Sequence, residues 1–315
     1  MTTAFVFPGQ GSQFIGMGKD LNESFPDARE IFQEVDDSLS QNLSGMMFDG
    51  NETDLNMTEN TQPALMAVSM AVVNVLQKQG GIALKDACSF VAGHSLGEYS
   101  ALTAAGTIAV SDTARLLKLR GQSMQRAVPV GVGSMAAVLG LDFDVVAEIA
   151  KAAAHSEVCT AANDNSDGQV VVSGHKEAVE RAVALAGERG ARKAVILPVS
   201  APFHCALMSP AAEAMAPALA ETRFNAPVVP VVANVTATAE SNAERLKDLL
   251  VEQITGMVRW RESVLYMRDQ GVDQMVELGA GKVLSGLARR IDRSIACESV
   301  GTPEQIETLI EKLKG

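Results

Sequence analysis

Three observations in the sequence predict an α/β fold: a large domain with a mostly parallel sheet, and a small α+β unit inserted into it. Short apolar runs alternate with segments of helical period along most of the chain. One such run turns abruptly into a helix-like segment at Gly93-His94-Ser95-Leu96-Gly97. Between Gly133 and Ser200 the pattern changes to β-α-β-β-α-β, the order of a ferredoxin-like unit. The expected division is 1–130 and 200–315 for a large α/β-hydrolase-like domain and 131–199 for a ferredoxin-like small domain.

Bulk properties narrow the class. A chain of 315 residues can hold one large domain with an insertion. With 47% hydrophobic and 20% charged residues it has the balance of a folded enzyme, not of a disordered chain. Aromatics are only 4%, so Ala, Val, Leu and Met must fill the core. The net charge of −12 argues against nucleic acid as a general partner, but leaves room for a local basic patch. Arg289, Arg290 and Arg293 form one candidate patch; Arg189, Arg192 and Lys193 form another. The start, Met1-Thr2-Thr3-Ala4-Phe5, has no basic region and no long apolar run, so no signal peptide is expected. The longest apolar stretch, Ala64 to Leu76, is broken by Ser69 and Asn74 and is too short to span a bilayer. Cys88, Cys159, Cys205 and Cys297 lie far apart, which signals neither zinc nor a disulfide framework. A cytoplasmic protein without a metal or cofactor is expected.

The elements follow in order. Ala4 to Phe7 reads as a strand that runs into the turn Pro8-Gly9-Gln10-Gly11-Ser12. Neither phosphate-loop pattern fits there: Phe14 stands where a dinucleotide fingerprint needs a small residue, and Met17-Gly18 where a Walker loop needs Lys-Ser/Thr. Gln10 is therefore either part of a plain tight turn or a side chain projecting into a cleft at a strand end. Pro26 to Leu39 has an apolar stripe at helical spacing. After an irregular polar stretch, Thr61-Gln62-Pro63 is expected to start the helix Ala64 to Gln77, with Thr as cap and Pro in the first turn. Ser111 to Val128 is a helix in which Leu116, Leu117 and Met124 put Arg120 on the apolar stripe. A buried arginine needs a partner. It serves an internal ion pair, snorkels to the surface, or forms a fork for a substrate carboxylate.

In the inserted unit, strands are expected at Ser134 to Leu139, Glu157 to Ala162, Gln169 to Ser173 and Lys193 to Val199. Helices are expected at Asp142 to Ala154 and Lys176 to Arg189, with a turn-rich Asn163-to-Gly168 segment between the middle strands. The exit is Pro198-Val199-Ser200-Ala201-Pro202-Phe203-His204, a loop stiffened by two prolines, before a helix Ala206 to Glu221. The remainder reads as strand Val228 to Asn234, helices Ala243 to Thr255 and Glu262 to Gln270, and strand Asp273 to Leu278. A turn at Gly279-Ala280-Gly281 leads to helix Lys282 to Ile291, strand Ile295 to Val300 and helix Pro303 to Lys314. The Gly279 turn lacks the rest of any phosphate fingerprint and reads as structural.

Gly-x-Ser-x-Gly between a strand and a helix is the pattern of a nucleophile elbow. It exposes the serine hydroxyl and puts the N–H of Leu96 at a helix N-terminus, where an oxyanion could sit. Such a serine needs a base. His94 should point away from it on the turn, while His155 and His175 belong to the inserted unit. His204, at the domain junction, is the remaining candidate. The elbow by itself suits hydrolases and transferases equally.

Three separated motifs, Phe7-Pro8-Gly9-Gln10-Gly11-Ser12-Gln13, Gly93-His94-Ser95-Leu96-Gly97-Glu98-Tyr99 and Ala201-Pro202-Phe203-His204-Cys205-Ala206-Leu207-Met208, together resemble the malonyl-CoA:acyl carrier protein transacylases of bacterial fatty-acid synthesis. The resemblance covers essentially the whole chain, including Val258-Arg259-Trp260. It implies Ser95 as the acylated nucleophile, His204 as its base, and Gln10 with the Leu96 N–H as the oxyanion hole. It further implies that Arg120 pairs with the malonyl carboxylate and that the backbone carbonyl of Gln253 orients the histidine. Malonyl-CoA and an acyl carrier protein are the implied partners, with no nucleic acid or membrane, and a monomer is expected. A carrier from polyketide synthesis would suit the same chemistry.

Overall fold

A computed structural model describes residues 2–199 and 201–315; Met1 and Ser200, the latter in the expected exit loop, lie outside the described residues. From the N-terminus, β1 (Thr3–Phe7) is followed by α1 (Lys19–Ser24), α2 (Pro26–Leu39), α3 (Leu43–Asp49), α4 (Glu52–Leu55), α5 (Thr58–Lys78) and α6 (Leu84–Ala87). β2 (Phe90–Gly93) turns into α7 (Leu96–Ala104), and α8 (Val110–Arg126) follows. Next come β3 (Gly133–Leu139), α9 (Phe143–Ala154), β4 (Cys159–Ser166), β5 (Gln169–His175), α10 (Lys176–Glu188) and β6 (Lys193–Ile196). A short 3-10 turn (Ala206–Met208) precedes α11 (Ser209–Glu221), β7 (Val231–Val232), β8 (Ala239–Glu240), α12 (Ala243–Thr255) and α13 (Trp260–Asp269). The chain closes with β9 (Gln274–Leu278), α14 (Val283–Ile291), β10 (Ala296–Val300) and α15 (Pro303–Lys314).

Among the described residues the strands form two sheets. One has the order β10-β9-β1-β2-β7-β8, parallel except for the last pair; the other is antiparallel, in the order β4-β5-β3-β6. β1 explains why the large sheet is central. Its side chains alternate, with Phe5 and Phe7 entering the core beneath α5 and Ala4 and Val6 the opposite core around Trp260 and Met267. Apolar helices cover both faces, so the strands read as continuous apolar runs. A third core, of Val138, Ile149, Val172 and Val179, belongs to the antiparallel sheet and its two helices.

The two sheets meet where β4 passes the segment before α13. Asp164 N–H donates to Val258 O at 3.0 Å, Val258 N–H donates to Ala162 O at 2.9 Å, and Arg261 pairs with Asp164 at 2.8 Å. These bonds carry β4 on to Ser166, through two irregularities in its register, where the sequence suggested a turn from Asn163. Other boundaries also moved. α5 begins at Thr58, so Pro63 lies inside it and Thr61 is no cap: its hydroxyl donates to Leu55 O at 2.6 Å instead. The strand expected from Val228 shrinks to Val231–Val232, freeing Asn234 for the elbow. Four short helices, α1, α3, α4 and α6, were not foreseen, because segments of four to seven residues carry too little periodicity to read. No helix among the described residues is long and apolar enough to cross a membrane.

Candidate active site

The nucleophile turn lies at the carboxyl end of β2. A Cβ on Gly93 would collide with the carbonyl of Gly97, and one on Gly97 with that of Phe7, so both glycines permit close backbone approach. The unusual dihedrals fall on Ser95 itself, at φ 54° and ψ −110°. Such a conformation in a non-glycine residue persists only where its surroundings hold it. Here they hold both backbone groups. Ser95 N–H donates to Asn234 Oδ1 at 2.8 Å, and Ser95 O accepts from Gln253 Nε2 at 3.0 Å. Leu96 is the first residue of α7, so its N–H has no helical acceptor and is available beside the hydroxyl.

His204 arrives from the loop before the 3-10 turn, itself at φ 58°, and its Nε2 is 2.8 Å from Ser95 Oγ. Its Nδ1 faces Gln253 O at 2.9 Å and Gly256 O at 3.1 Å. Two carbonyls can only accept, so the proton sits on Nδ1 and Nε2 is left to accept from the serine. Burial, and after it the Arg120 guanidinium, hold the imidazole down at about 3, so it is a neutral base in the resting protein.

Arg120 is 1% exposed. Nη1 donates to Gln62 Oε1 at 2.8 Å, and Nη2 donates to Gln253 Oε1 at 2.8 Å and to Ser95 Oγ at 3.1 Å. All three partners are neutral, and Nε has none among the described residues. The internal ion pair, one of the three sequence readings, is therefore not formed among the described residues, and the burial of Arg120 rules out a second, snorkelling to the surface. What remains is a buried cation beside the nucleophile, bonded to neutral groups and lying over the Tyr99 ring at 5.6 Å, with no carboxylate in direct contact among the described residues.

Ser95, Leu96, His204 and Arg120 line one cavity of about 180 Å³, together with Gln62, Met124, Asn165 and Phe203. Gln10, exposed on its turn, lines the same cavity and the mouth of a second one of about 560 Å³ beside it. The second cavity includes Met57, Gln122, Arg126 and Val199. His94 bonds Asn165 Oδ1 through Nε2 at 2.8 Å and rests against Trp260, yet it still lines the first cavity rather than leaving it. The structure thus brings together all six residues singled out from the sequence. It also adds Gln62, Glu98, Asn165 and Asn234. Glu98 and Gln62 could have been flagged as polar residues inside apolar helices, the signal that exposed Arg120. Asn234 has no local signal. The two basic clusters are exposed; within one, Arg290 is bonded to Gln169 Oε1 at 2.7 Å. Among the described residues no group of three or more His, Cys, Asp or Glu could hold a metal.

A serine on a strand–helix elbow, bonded to a histidine that a backbone carbonyl orients, defines the class: an α/β protein equipped for acyl transfer. The acyl transferase domain family matches residues 4–312. The malonyl CoA-acyl carrier protein transacylase of Escherichia coli K12 is 47% identical over 308 residues, 98% of each chain. The solved acyl-carrier-protein-S-malonyltransferase of Bartonella henselae is 55% identical, covers 100% of both chains and superposes with a TM-score of 0.98. A malonyl-transacylase solved in complex with its type II PKS acyl-carrier protein is 44% identical, covers 99% of this chain and 100% of its own, and has a TM-score of 0.95. The chain belongs to the malonyl CoA-acyl carrier protein transacylase family within the acyl transferases.

Proposed function

We propose that the chain moves a malonyl group from malonyl-CoA to the phosphopantetheine thiol of an acyl carrier protein, through a malonyl ester on Ser95. The observation that carries this reading is the meeting of three groups at one oxygen. Ser95 Oγ lies 2.8 Å from His204 Nε2 and 3.1 Å from the Arg120 Nη2 of a guanidinium without an ion-pair partner.

In the first half, His204 Nε2 takes the Ser95 proton as Oγ attacks the thioester carbonyl. Gln10 and the Leu96 N–H hold the oxyanion, worth about 2.7–4 kcal/mol for each donor in acyl-transfer sites of this kind. The tetrahedral adduct collapses, the C–S bond breaks, and His204 returns the proton to the CoA thiolate. In the second half the carrier thiol gives its proton to His204 and attacks the ester, and Ser95 Oγ leaves with that proton. The kinetics are ping-pong. Arg120 pairs through its fork with the free carboxylate of the malonyl group, which acetyl lacks. Gln253 O holds the imidazole.

The same reading includes the division into a large α/β-hydrolase-like domain, 1–130 and 200–315, and a ferredoxin-like small domain, 131–199. The strand order β4-β5-β3-β6 and the two helices of the antiparallel sheet support the latter. The chain is taken to work as a monomer in the cytoplasm on a fatty-acid carrier, a polyketide carrier being the alternative.

Incubation with malonyl-CoA tests the chemistry. A lasting malonyl adduct is expected by intact mass, located on Ser95 and discharged by holo acyl carrier protein. Rapid release of free malonate to water, without transfer, would mark a serine hydrolase instead.

A further inference from the structure

Beneath the elbow lies one ionisable group that the transfer steps do not use. Glu98 follows Ser95 by three residues in α7 and is fully buried. Its Oε2 accepts from Asn234 N–H at 2.9 Å and from Gln253 Nε2 at 2.9 Å, while Oε1 has no partner among the described residues. On the other side of the same amide, Gln253 Oε1 accepts from Arg120 Nη2 at 2.8 Å. A single carboxamide therefore separates a buried carboxylate from a buried guanidinium. Each ion keeps one unpartnered atom, Oε1 of Glu98 and Nε of Arg120.

The surroundings leave these two charges to each other. Tyr99, on the same helix, and Arg120, on α8, are the titratable groups that face Glu98. The segment after β7 and α12 contribute neutral Asn234 and Gln253, and α5 contributes neutral Gln62 on the far side of Arg120.

We propose that Glu98 is a specificity-determining residue: through Gln253 its carboxylate offsets the charge of Arg120 and so sets how tightly Arg120 holds the free carboxylate of the acyl group. This inference rests on the reading of Arg120 given above. An anion that settles on Arg120 meets a second negative charge one amide away, in surroundings where water screens little. An ionised Glu98 weakens its binding; a protonated Glu98 does not. Burial pushes the Glu98 carboxyl up to about 7, against the pull of its two donors and of Arg120, so the balance shifts within the neutral range. Binding of the acyl carboxylate raises the proton affinity further, and the proton has a vacant position on Oε1.

The test compares the wild-type protein with Glu98→Gln, which keeps the shape and an acceptor for Asn234 and Gln253. KM and kcat are measured for malonyl-CoA and acetyl-CoA from about pH 6 to about pH 8.5. At the alkaline end the variant should bind malonyl-CoA about three- to tenfold more tightly by KM, a coupling on the order of one pKa unit or less. The two proteins should converge near pH 6, with kcat changed by less than about twofold and KM for acetyl-CoA unaltered. Equal KM values for malonyl-CoA at every pH, or an equal loss of kcat with both thioesters, would overturn the proposal; the latter is what a merely structural carboxylate gives. If the variant does not fold, the wild type alone decides. Its ratio of malonyl to acetyl KM must rise with pH, the titration of CoA itself cancelling in the ratio. A flat ratio with malonyl preference intact overturns this inference alone. A wild type that transfers no malonyl group, or uses both thioesters equally, overturns the substrate reading and this inference with it.

Discussion

β2 and β9 flank β1 in the large sheet, and each ends in a glycine-containing turn that feeds a helix, α7 in one case and α14 in the other. Each also carries a buried glutamate that burial pushes to higher pKa, Glu98 just after β2 and Glu277 within β9. At β9 the account closes: Leu284 N–H and Ser285 N–H, in the first turn of α14, donate to the two Glu277 oxygens at 3.1 and 2.8 Å. The positive φ angles of that turn, 133° and 81°, fall on Gly279 and Gly281, which tolerate them. At β2 the positive φ falls on a serine, Glu98 keeps one bare oxygen, and Arg120 has only neutral partners. The two ends are built alike, and the difference lies in what is left over. A saturated network stabilises a helix start, whereas unsatisfied bonding capacity can respond to a substrate.

The largest test of that contrast is Arg120→Ala. It should lower kcat/KM for malonyl transfer about 10²- to 10³-fold while acetyl transfer survives or rises, since only the carboxylated acyl group loses a partner. Persistence of malonyl preference would place Arg120 in the same structural class as Glu277. Next in size is Gly279→Ala. A Cβ there would meet Ser69 Oγ on a backbone suited to glycine, and a loss of about 2–3 kcal/mol is expected in denaturant unfolding, with kcat per folded molecule retained. Ser95→Gly should act in the opposite sense, abolishing the adduct yet stabilising the fold by about 1 kcal/mol as the strain is relieved.

The smallest expected effect is an absence of change. His204 is held at about 3, below its ordinary 6.5, so between those values the unfolded chain binds a proton that the folded chain does not. Stability from this group is complete above about pH 6.5 and is lost as pH falls toward 3. The base itself stays neutral across that window. Single-turnover acylation at saturating malonyl-CoA should thus not decline between about pH 7 and pH 5, where an unperturbed histidine would titrate. A midpoint near 6.5 would mean that the imidazole is wetter than its burial implies.

Some of this was legible along the chain. The elbow is local: a strand, two glycines that allow close approach, and a helix all lie within Phe90 to Ala104, so composition and spacing suffice to read it. Arg120 declared itself as a charge on an apolar stripe, although whether it was paired did not. The helices Ala243–Thr255 and Pro303–Lys314 fell where the sequence reading placed them. Other boundaries did not, because partners remote in sequence set them. Val258 and Arg261 extend β4, and the elbow draws Asn234 out of the strand expected there.

By itself, then, the sequence determined the alternation of elements, the nucleophile turn and the residue types that acyl transfer requires, since these depend on neighbours three or four positions away. Tertiary structure alone decided that Ser95, His204, Gln253 and Arg120, spread over 158 positions, share one hydrogen-bonded network. It also decided that Arg120 has no direct countercharge among the described residues and that Glu98 faces it across an amide. Pairing and burial are properties of packed surfaces, and no spacing along a chain encodes which side chains will be left without a partner.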